Sequence, residues 1–161
     1  MISTRDWIGE WVQEGRLYVW RYADARRGWQ GWQWTGDPAG CRSFRNLLDR
    51  MQGGDARHRT LRLEPVTQGV FDIPNAGFRF GGQFAKLRIE YRPDAETLRL
   101  EPSDEALILT VGPGRLRKLS AALGRVEIGD GDFGVDPGGS KEDPWMFWWM
   151  PDVDYSDRKA S

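Results

Sequence analysis

The distribution of tryptophan is the feature of this sequence that most constrains its fold. Nine of the 161 residues are Trp, several times the average share of about one per cent. Six lie within residues 7–34 and three within residues 145–149, so the two groups are at opposite ends of the chain. Each indole buries roughly 150–250 Å² and carries one N–H that needs an acceptor. We therefore expect the two ends of the chain to pack together in a core.

An exposed aromatic surface is the alternative to a core role. If residues 29–34 (WQGWQW) are extended, Trp32 and Trp34 point to one side and Trp29 to the other, because side chains alternate along a strand. Since both faces carry Trp, at most one face is free for a protein partner or a sugar ring.

Composition places the chain among folded, single-domain proteins. Hydrophobic residues make up 39% and charged residues 29%, a balance typical of a globular domain. No apolar run is long enough to cross a membrane, and residues 1–6 (MISTRD) lead into no signal-like apolar stretch, which predicts a cytoplasmic location. The single Cys41 excludes an intramolecular disulfide and a Cys-rich metal site, and the single His58 excludes a metal site built on a His pair.

Helices are indicated by capping residues and apolar spacing. Asp37 and Pro38 supply an N-cap and a first-turn proline, and an apolar face follows until the glycines at 53–54. A second helix is expected to begin at residues 112–114 (GPG) and to end near Gly124. A short N-terminal helix is expected after the capping pair Ser3 and Asp6.

Alternating and β-branched segments predict strands at 16–22, 29–34, 61–63, 78–80, 86–91, 97–101, 106–111, 126–128, 133–135 and 145–150. The first two form a hairpin, residues 70–73 form a shorter extended piece, and the short turns between 86 and 111 favour an antiparallel meander. The pattern predicts a single α+β domain over residues 1–151, with a largely antiparallel β-sheet of about six to eight strands and two main helices packed on one face. Residues 152–161 are polar and are expected to form a flexible C-terminal tail.

Charge is nearly balanced overall, at −1, but uneven along the chain. Residues 1–63 hold 11 basic against 7 acidic side chains, residues 64–125 hold 9 against 8, and residues 126–161 hold 3 against 9. The acidic final segment argues against nucleic acid as the main partner and suits a basic protein surface.

An acidic loop at residues 129–136 (GDGDFGVD) carries Asp130, Asp132 and Asp136. Alternating carboxylates suggest a calcium loop, but an EF-hand beginning at Asp130 needs Gly and Glu where this sequence has valine and lysine. The loop is therefore interpreted as an Asp/Gly turn or, if its carboxylates face outward, as an acidic patch for a basic partner.

The strand, turn and helix start at residues 107–118 (LILTVGPGRLRK) are the candidate for an anion site. Helix N-termini bind anions through free N–H groups, and cations there otherwise disfavour the helix. However, the segment lacks the Gly-Lys-Ser/Thr of a P-loop, and Arg117 stands where a dinucleotide-binding turn needs its third glycine. An ordinary helix start is the simpler interpretation. The alternative is a phosphate or acyl-cofactor site formed by Gly112, Gly114, Arg115, Arg117 and Lys118.

No catalytic constellation stands out. Spacing selects no general acid–base pair among the 24 carboxylates. Cys41 lies on the apolar face of its expected helix and His58 lies between two arginines, which indicates structural roles for both. We expect neither a metal nor a cofactor, and the sequence favours a non-enzymatic protein without deciding the question.

The favoured function is therefore a non-enzymatic, cytoplasmic protein-binding module. In size and in lacking a catalytic motif, the chain resembles small bacterial immunity proteins, which implies that it covers a site on a protein partner. The alternative is a small-ligand protein, or a transferase, that holds an anionic cofactor at residues 107–118. Neither nucleic acid nor a membrane is expected as a partner. The apolar residues 145–150 are expected to be buried on both faces or to lie in a homodimer interface.

The predicted partner-binding surface combines acidic and aromatic side chains. It draws on the acidic loop, the segment 145–149 and the tryptophan-rich hairpin. Its named members are Asp130, Asp132, Asp136, Trp145, Trp148, Trp29, Trp32 and Trp34.

Overall fold

The structure is a computed structural model, which describes residues 8–23, 31–53, 55–73, 80–104, 106–138 and 144–155. The strands are β1 (Leu17–Tyr22), β2 (Gln33–Gly36), β3 (Arg57–Arg62), β4 (Phe80–Gln83), β5 (Lys86–Tyr91), β6 (Arg99–Ser103), β7 (Ala106–Val111), β8 (Phe133–Val135) and β9 (Trp145–Phe147). The helices are α1 (Pro38–Met51), α2 (Gln68–Phe71) and α3 (Pro113–Glu127). Together they form a single α+β domain, as the sequence predicts.

The strands form two sheets rather than one. Sheet A has the order β4-β1-β2-β9-β8, and sheet B has the order β3-β5-β7-β6. Neighbouring strands are antiparallel except for β2 with β9 and β5 with β7, which are parallel. The antiparallel pairing expected for β1 and β2 is confirmed. The meander expected over residues 86–111 is wrong, because β7 lies between β5 and β6 and runs parallel to β5.

The position of β6 at the edge of sheet B has a local cause. Pro102 lies within β6 and has no N–H to donate, which suits an edge strand and not a central one. Just before β6, Leu98 donates its N–H to the carbonyl of Pro137 (2.7 Å), which ties this edge to the segment after β8. The central place beside β5 is taken by β7, which buries every second side chain.

Helix α1 begins and ends where the sequence predicts. The Asp37 carboxylate accepts a hydrogen bond from the N–H of Gly40 (2.7 Å), as an N-cap does. It also accepts from the backbone N–H and the Nε of Arg16 (2.9 and 3.1 Å), so the cap fixes the start of β1 as well.

Two segments expected to be extended are helical. Val126 continues the buried face that Leu119 and Leu123 form on α3, so the helix runs to Glu127 and Ile128 is its C-cap. Val70 belongs to α2, whose N-cap Thr67 accepts from the Val70 N–H (3.2 Å). In both places an apolar run that reads as a strand is buried on one helical face instead.

Two apolar cores lie on the two faces of sheet A. The larger core contains the buried side chains of α1 and α3 together with inward-facing residues of both sheets. These two helices pack against each other, and both contact β2. The smaller core lies on the other face of β1, where Tyr18, Trp20 and Tyr22 pack with Val70 and with residues 148–155.

The two ends of the chain pack together, as the tryptophan pattern predicts. β2 pairs with β9, and the ring of Trp34 stacks on those of Trp145 and Phe147, with 5.3 and 5.7 Å between centroids. On the other face of the sheet, the Trp148 indole donates to Gln33 Oε1 (2.8 Å).

The expected C-terminal tail is anchored at its start. Asp152 forms an ion pair with Arg16 (2.9 Å), and the Tyr155 hydroxyl accepts from the N–H of Met150 (3.0 Å). Residues 152–155 are therefore tied to the start of β1 and to Met150. Several other expectations lie outside the described residues: those for Ser3, Asp6, Trp29, the turn at 74–77 and residues 156–161.

Candidate functional site

Four of the tryptophans predicted to form an exposed surface are core residues. Trp32, Trp34, Trp145 and Trp148 have exposed fractions of 8%, 1%, 3% and 2%. The pairing of β2 with β9 causes this burial, because it places Trp34 and Trp145 in the larger core and Trp148 in the smaller one. The aromatic part of the predicted surface is therefore wrong for these four residues, and Trp29 lies outside the described residues.

Among the tryptophans that the structure describes, Trp149 is the accessible one, with an exposed fraction of 36%. Trp149 lies beyond the end of β9, and its ring meets the Trp148 ring edge to face, with 6.0 Å between the centroids. Helix α3 contacts β9 and ends at Glu127. The residues that follow the helix line the same cleft as Trp149.

Trp149 forms one wall of an open cleft of about 620 Å³. Ile128, which is 47% exposed, also lines this cleft. The sequence analysis includes Trp149 only as part of the segment 145–149 and does not identify Ile128, because no spacing signal shows that α3 continues to Glu127 and ends there. We name this site the Trp149 cleft; its lining residues are Ile128, Gly129, Asp130, Gly131, Trp149 and Tyr155.

Two glycines bring the walls of the Trp149 cleft together. A Cβ atom on Gly131 would lie 2.2 Å from the backbone nitrogen of Trp149. Gly129 has a φ of +83°, and a Cβ there would lie 2.4 Å from the ring of Tyr155. Close packing and a left-handed backbone therefore account for the Gly-Asp-Gly sequence, and the described residues include no cluster of His, Cys, Asp or Glu suited to a metal.

The aspartates of the acidic loop are exposed, but arginine side chains bind two of these residues. Asp130 is paired with Arg125 (Nε to Oδ2, 2.8 Å), and the carbonyl of Asp136 accepts from Arg115 (3.0 Å). Asp132 is exposed, and its φ of +67° marks the turn into β8. The three predicted aspartates thus belong to a surface of mixed charge, on which Asp130 lines the Trp149 cleft.

Three of the five residues of the alternative anion site lie together. Gly114, Arg115 and Lys118 line an open cleft at the start of α3, but Asp94 and Glu96 line the same cleft. With the Gln52 amide oriented so that its oxygen faces Arg117, that guanidinium donates to it from Nη2 and Nε (3.2 and 3.1 Å). Arg117 therefore pairs with the C-terminal end of α1 and is not among the residues that line this cleft.

The two glycines of this segment have different surroundings. A Cβ atom on Gly112 would lie 2.0 Å from the carbonyl oxygen of Ala95, whereas one on Gly114 would meet nothing within 4 Å. Gly112 is explained by this close approach alone. The arrangement favours the ordinary helix start over a cradle for phosphate.

Cys41 and His58, the two residues considered for nucleophilic or acid–base chemistry, lie on different elements, α1 and β3. Cys41 is fully buried, and burial raises the pKa of its thiol well above the usual range. Its Sγ lies 3.7 Å from the carbonyl oxygen of Gly36. His58 is exposed on β3, opposite Glu90 of β5. Neither lines the Trp149 cleft.

Comparisons of the chain with protein-family models, curated proteins and solved structures find no match. Within the described ranges, no helix has both the length and the apolar character needed to cross a bilayer. What the chain binds has to be inferred from its own residues.

Proposed function

We propose that the protein is a non-enzymatic binding protein that docks another protein at the Trp149 cleft. The observation that carries the proposal is that two exposed large apolar side chains, Ile128 and Trp149, line one cleft. Binding energy in protein interfaces is concentrated in a few anchors of this kind, with Trp prominent among them. Adjacent exposed apolar side chains also favour coverage by a partner.

The charge around the cleft indicates the chemistry of the partner. Asp130 and Asp132 are exposed at this end of the molecule, and Asp130, which is paired with Arg125, lines the cleft. The complement is a basic protein surface with an apolar group that fits between Ile128 and Trp149. The protein would cover a site on that partner, as an immunity or inhibitor protein does, and we place this role in the cytoplasm.

An anionic cofactor at the start of α3 is the weaker alternative. Asp94 and Glu96 would repel an anion held by Arg115 and Lys118 in the same cleft. We therefore do not adopt a transferase or small-ligand function.

Affinity capture from the lysate of the source organism tests the docking function. Tagged wild type, Trp149→Ala and Val12→Ala are compared; Val12 is the matched control because it is apolar, 73% exposed and outside the cleft. We expect one dominant protein with wild type and with Val12→Ala. We expect the affinity for it to fall about thirtyfold or more with Trp149→Ala, because loss of a central Trp anchor typically costs about 2 kcal/mol or more.

A charge-reversal variant tests the acidic part of the surface. Replacing Asp130, Asp132 and Asp136 by Lys is expected to weaken capture. The melting temperature is measured alongside capture, because the change also removes the Asp130–Arg125 ion pair and places Lys at the positive φ of position 132. Equal capture by all variants, or no specific protein with wild type, would contradict the proposed function.

A further inference from the structure

The Trp149 cleft lies at the point where the described chain leads into residues 156–161. Tyr155, which precedes them, lines the cleft and is buried, with an exposed fraction of 8%. Its hydroxyl accepts from the N–H of Met150 (3.0 Å), and its ring packs so closely on Gly129 that a Cβ atom there would lie 2.4 Å from it. These contacts fix Tyr155 at the cleft, so the residues that follow it leave from the site itself.

Residues 156–161 (SDRKAS), which we name the 156–161 segment, carry two adjacent cations, Arg158 and Lys159, and one carboxylate, Asp157. An extended chain spans at most about 3.5 Å per residue. Arg158 and Lys159 are three and four residues beyond Tyr155, so their backbones lie at most about 10 and 14 Å from it. Both side chains are therefore within reach of the Trp149 cleft.

The charges at the cleft suit a cationic occupant. Among the described residues that line it, Asp130 is the charged one, and it is paired with Arg125 (2.8 Å). Asp132, two residues further along, is exposed and forms no ion pair within the described ranges. Two carboxylates and one guanidinium leave an excess of negative charge here, whereas the 156–161 segment has two cationic side chains and one carboxylate. The two sets of charges are complementary.

The apolar part of the cleft suits the same two cationic side chains. Lys and Arg cover apolar surface with their methylene stems while the charged end stays in water. A cation over the face of a Trp ring is also attracted by the ring. Trp149 and Ile128 are 36% and 47% exposed, so both have surface left to cover. The chain thus carries, within reach of its own cleft, the basic and apolar chemistry inferred for the docked protein.

We propose that the 156–161 segment folds back into the Trp149 cleft, where Arg158 and Lys159 compete with the basic surface of the docked protein. A short tether gives the segment an effective concentration on the order of millimolar at the cleft, so a weak contact is enough to occupy a large share of the molecules. An occupied cleft cannot dock the partner, so the apparent affinity falls in proportion to the fraction of molecules whose cleft is free. The inference rests on the proposed docking function, since it names a regulator of the same site.

The NMR signal of the Trp149 indole N–H, recorded on the full chain, tests the contact without a known partner. It is identified as the indole signal that Trp149→Phe removes. Arg158→Gln combined with Lys159→Gln is the segment variant. Arg62→Gln combined with Lys86→Gln is the matched control, because it removes two exposed cations from sheet B. We expect the segment variant to shift the Trp149 signal and the control to leave it unchanged.

Salt provides a second measurement on the wild-type chain. At about 1 M ionic strength the screening length falls to about 3 Å, which weakens exposed ionic contacts. We therefore expect the wild-type Trp149 signal to move towards its position in the segment variant as salt is added.

Affinity for the protein captured from lysate measures the competition itself. We expect the segment variant to bind that protein about twofold to tenfold more tightly than wild type, because these factors correspond to a cleft that is between about half and about nine-tenths occupied. The control variant is expected to bind it as wild type does.

Three results would overturn the inference. The first is a Trp149 signal that is the same in wild type and in the segment variant. The second is equal or weaker capture by the segment variant, which would show that the segment does not compete. The third is a wild-type Trp149 signal that changes with protein concentration, which would make the segment of a second copy the occupant.

The two proposals fail in different ways. An unchanged Trp149 signal together with lysate capture that depends on Trp149 would remove this inference and leave the docking function intact. A shifted Trp149 signal without any lysate capture would support the fold-back contact and count against the docking function.

Discussion

At the scale of single residues, the two glycines at the start of α3 test whether close packing explains the glycine at position 112. Gly112→Ala would place a methyl group 2.0 Å from the carbonyl oxygen of Ala95, whereas Gly114→Ala would place one in open space. We expect Gly112→Ala to lower the free energy of unfolding by about 1–3 kcal/mol. Gly114→Ala is expected to raise it by about 0.4–1 kcal/mol.

Urea denaturation of the two glycine variants measures both effects on the same helix. Equal effects at the two positions would contradict the packing explanation for Gly112. A loss at Gly114 alone would contradict the open surroundings of that glycine.

A buried hydrogen bond gives a second prediction at this scale. Gln33 is fully buried and accepts from the Trp148 indole N–H. Gln33→Met keeps a similar volume but removes the acceptor, so we expect a loss of about 1–3 kcal/mol in the free energy of unfolding. Gln68→Met, at an exposed position, is the control and is expected to change stability by less than about 0.5 kcal/mol. Comparable losses for the two variants in urea denaturation would argue against this hydrogen bond.

The sequence predicts the structural role of a residue well only where the residues that it contacts are close to it along the chain. Asp37 is recognised as an N-cap because its partners, the N–H of Gly40 and the helix that follows, are close in sequence. The burial of Trp32 and Trp148 depends on which strands become neighbours across more than a hundred residues. Spacing along the chain carries no information about that choice.

At the scale of secondary-structure elements, the sequence predicts the individual helices and strands but not which strands become neighbours. Helices α1 and α3 and strands β1, β5 and β7 are indicated by apolar periodicity that each element carries itself. The parallel pairing of β2 with β9 and of β5 with β7 depends on two strands at once, so the pattern of neither strand alone predicts it. Short turns suggested a meander, but Pro102 assigns β6 to the edge and the central place goes to β7.

The β7–α3 unit gives a prediction about ligands. Asp94 and Glu96 share the cleft with Arg115 and Lys118, so we expect no rise in melting temperature with inorganic phosphate or coenzyme A at millimolar concentration. Thermal shift measures this directly. A rise that Arg115→Ala abolishes would contradict the docking account and restore the anion site.

At the scale of the whole molecule, an ion pair joins the start of β1 to the C-terminal segment. The hydrogen bond from Arg16 holds the pKa of Asp152 below its ordinary value of 3.8, against the effect of burial. A carboxyl whose pKa is lower in the folded chain than in the unfolded chain stabilises the fold above the unfolded-state pKa. It loses that contribution as the pH falls through the folded-state pKa.

The difference in melting temperature between wild type and Asp152→Asn measures this contribution. We expect Asp152→Asn to melt below wild type at pH 7, and the difference to shrink as the pH falls below about 4. Asp94→Asn, at an exposed position on another part of the surface, is the control. A difference that stays constant between about pH 7 and pH 2 would show that Asp152 acts through packing and not through its charge.

Hydrogen–deuterium exchange of the protein, alone and with the captured partner, tests the docking account most directly, because it locates the covered surface. We predict slower exchange in residues 128–136 and 148–150, around the Trp149 cleft, and unchanged exchange in β3 on the far edge of sheet B. Protection confined to sheet B or to the start of α3, with none around Trp149, would contradict the account.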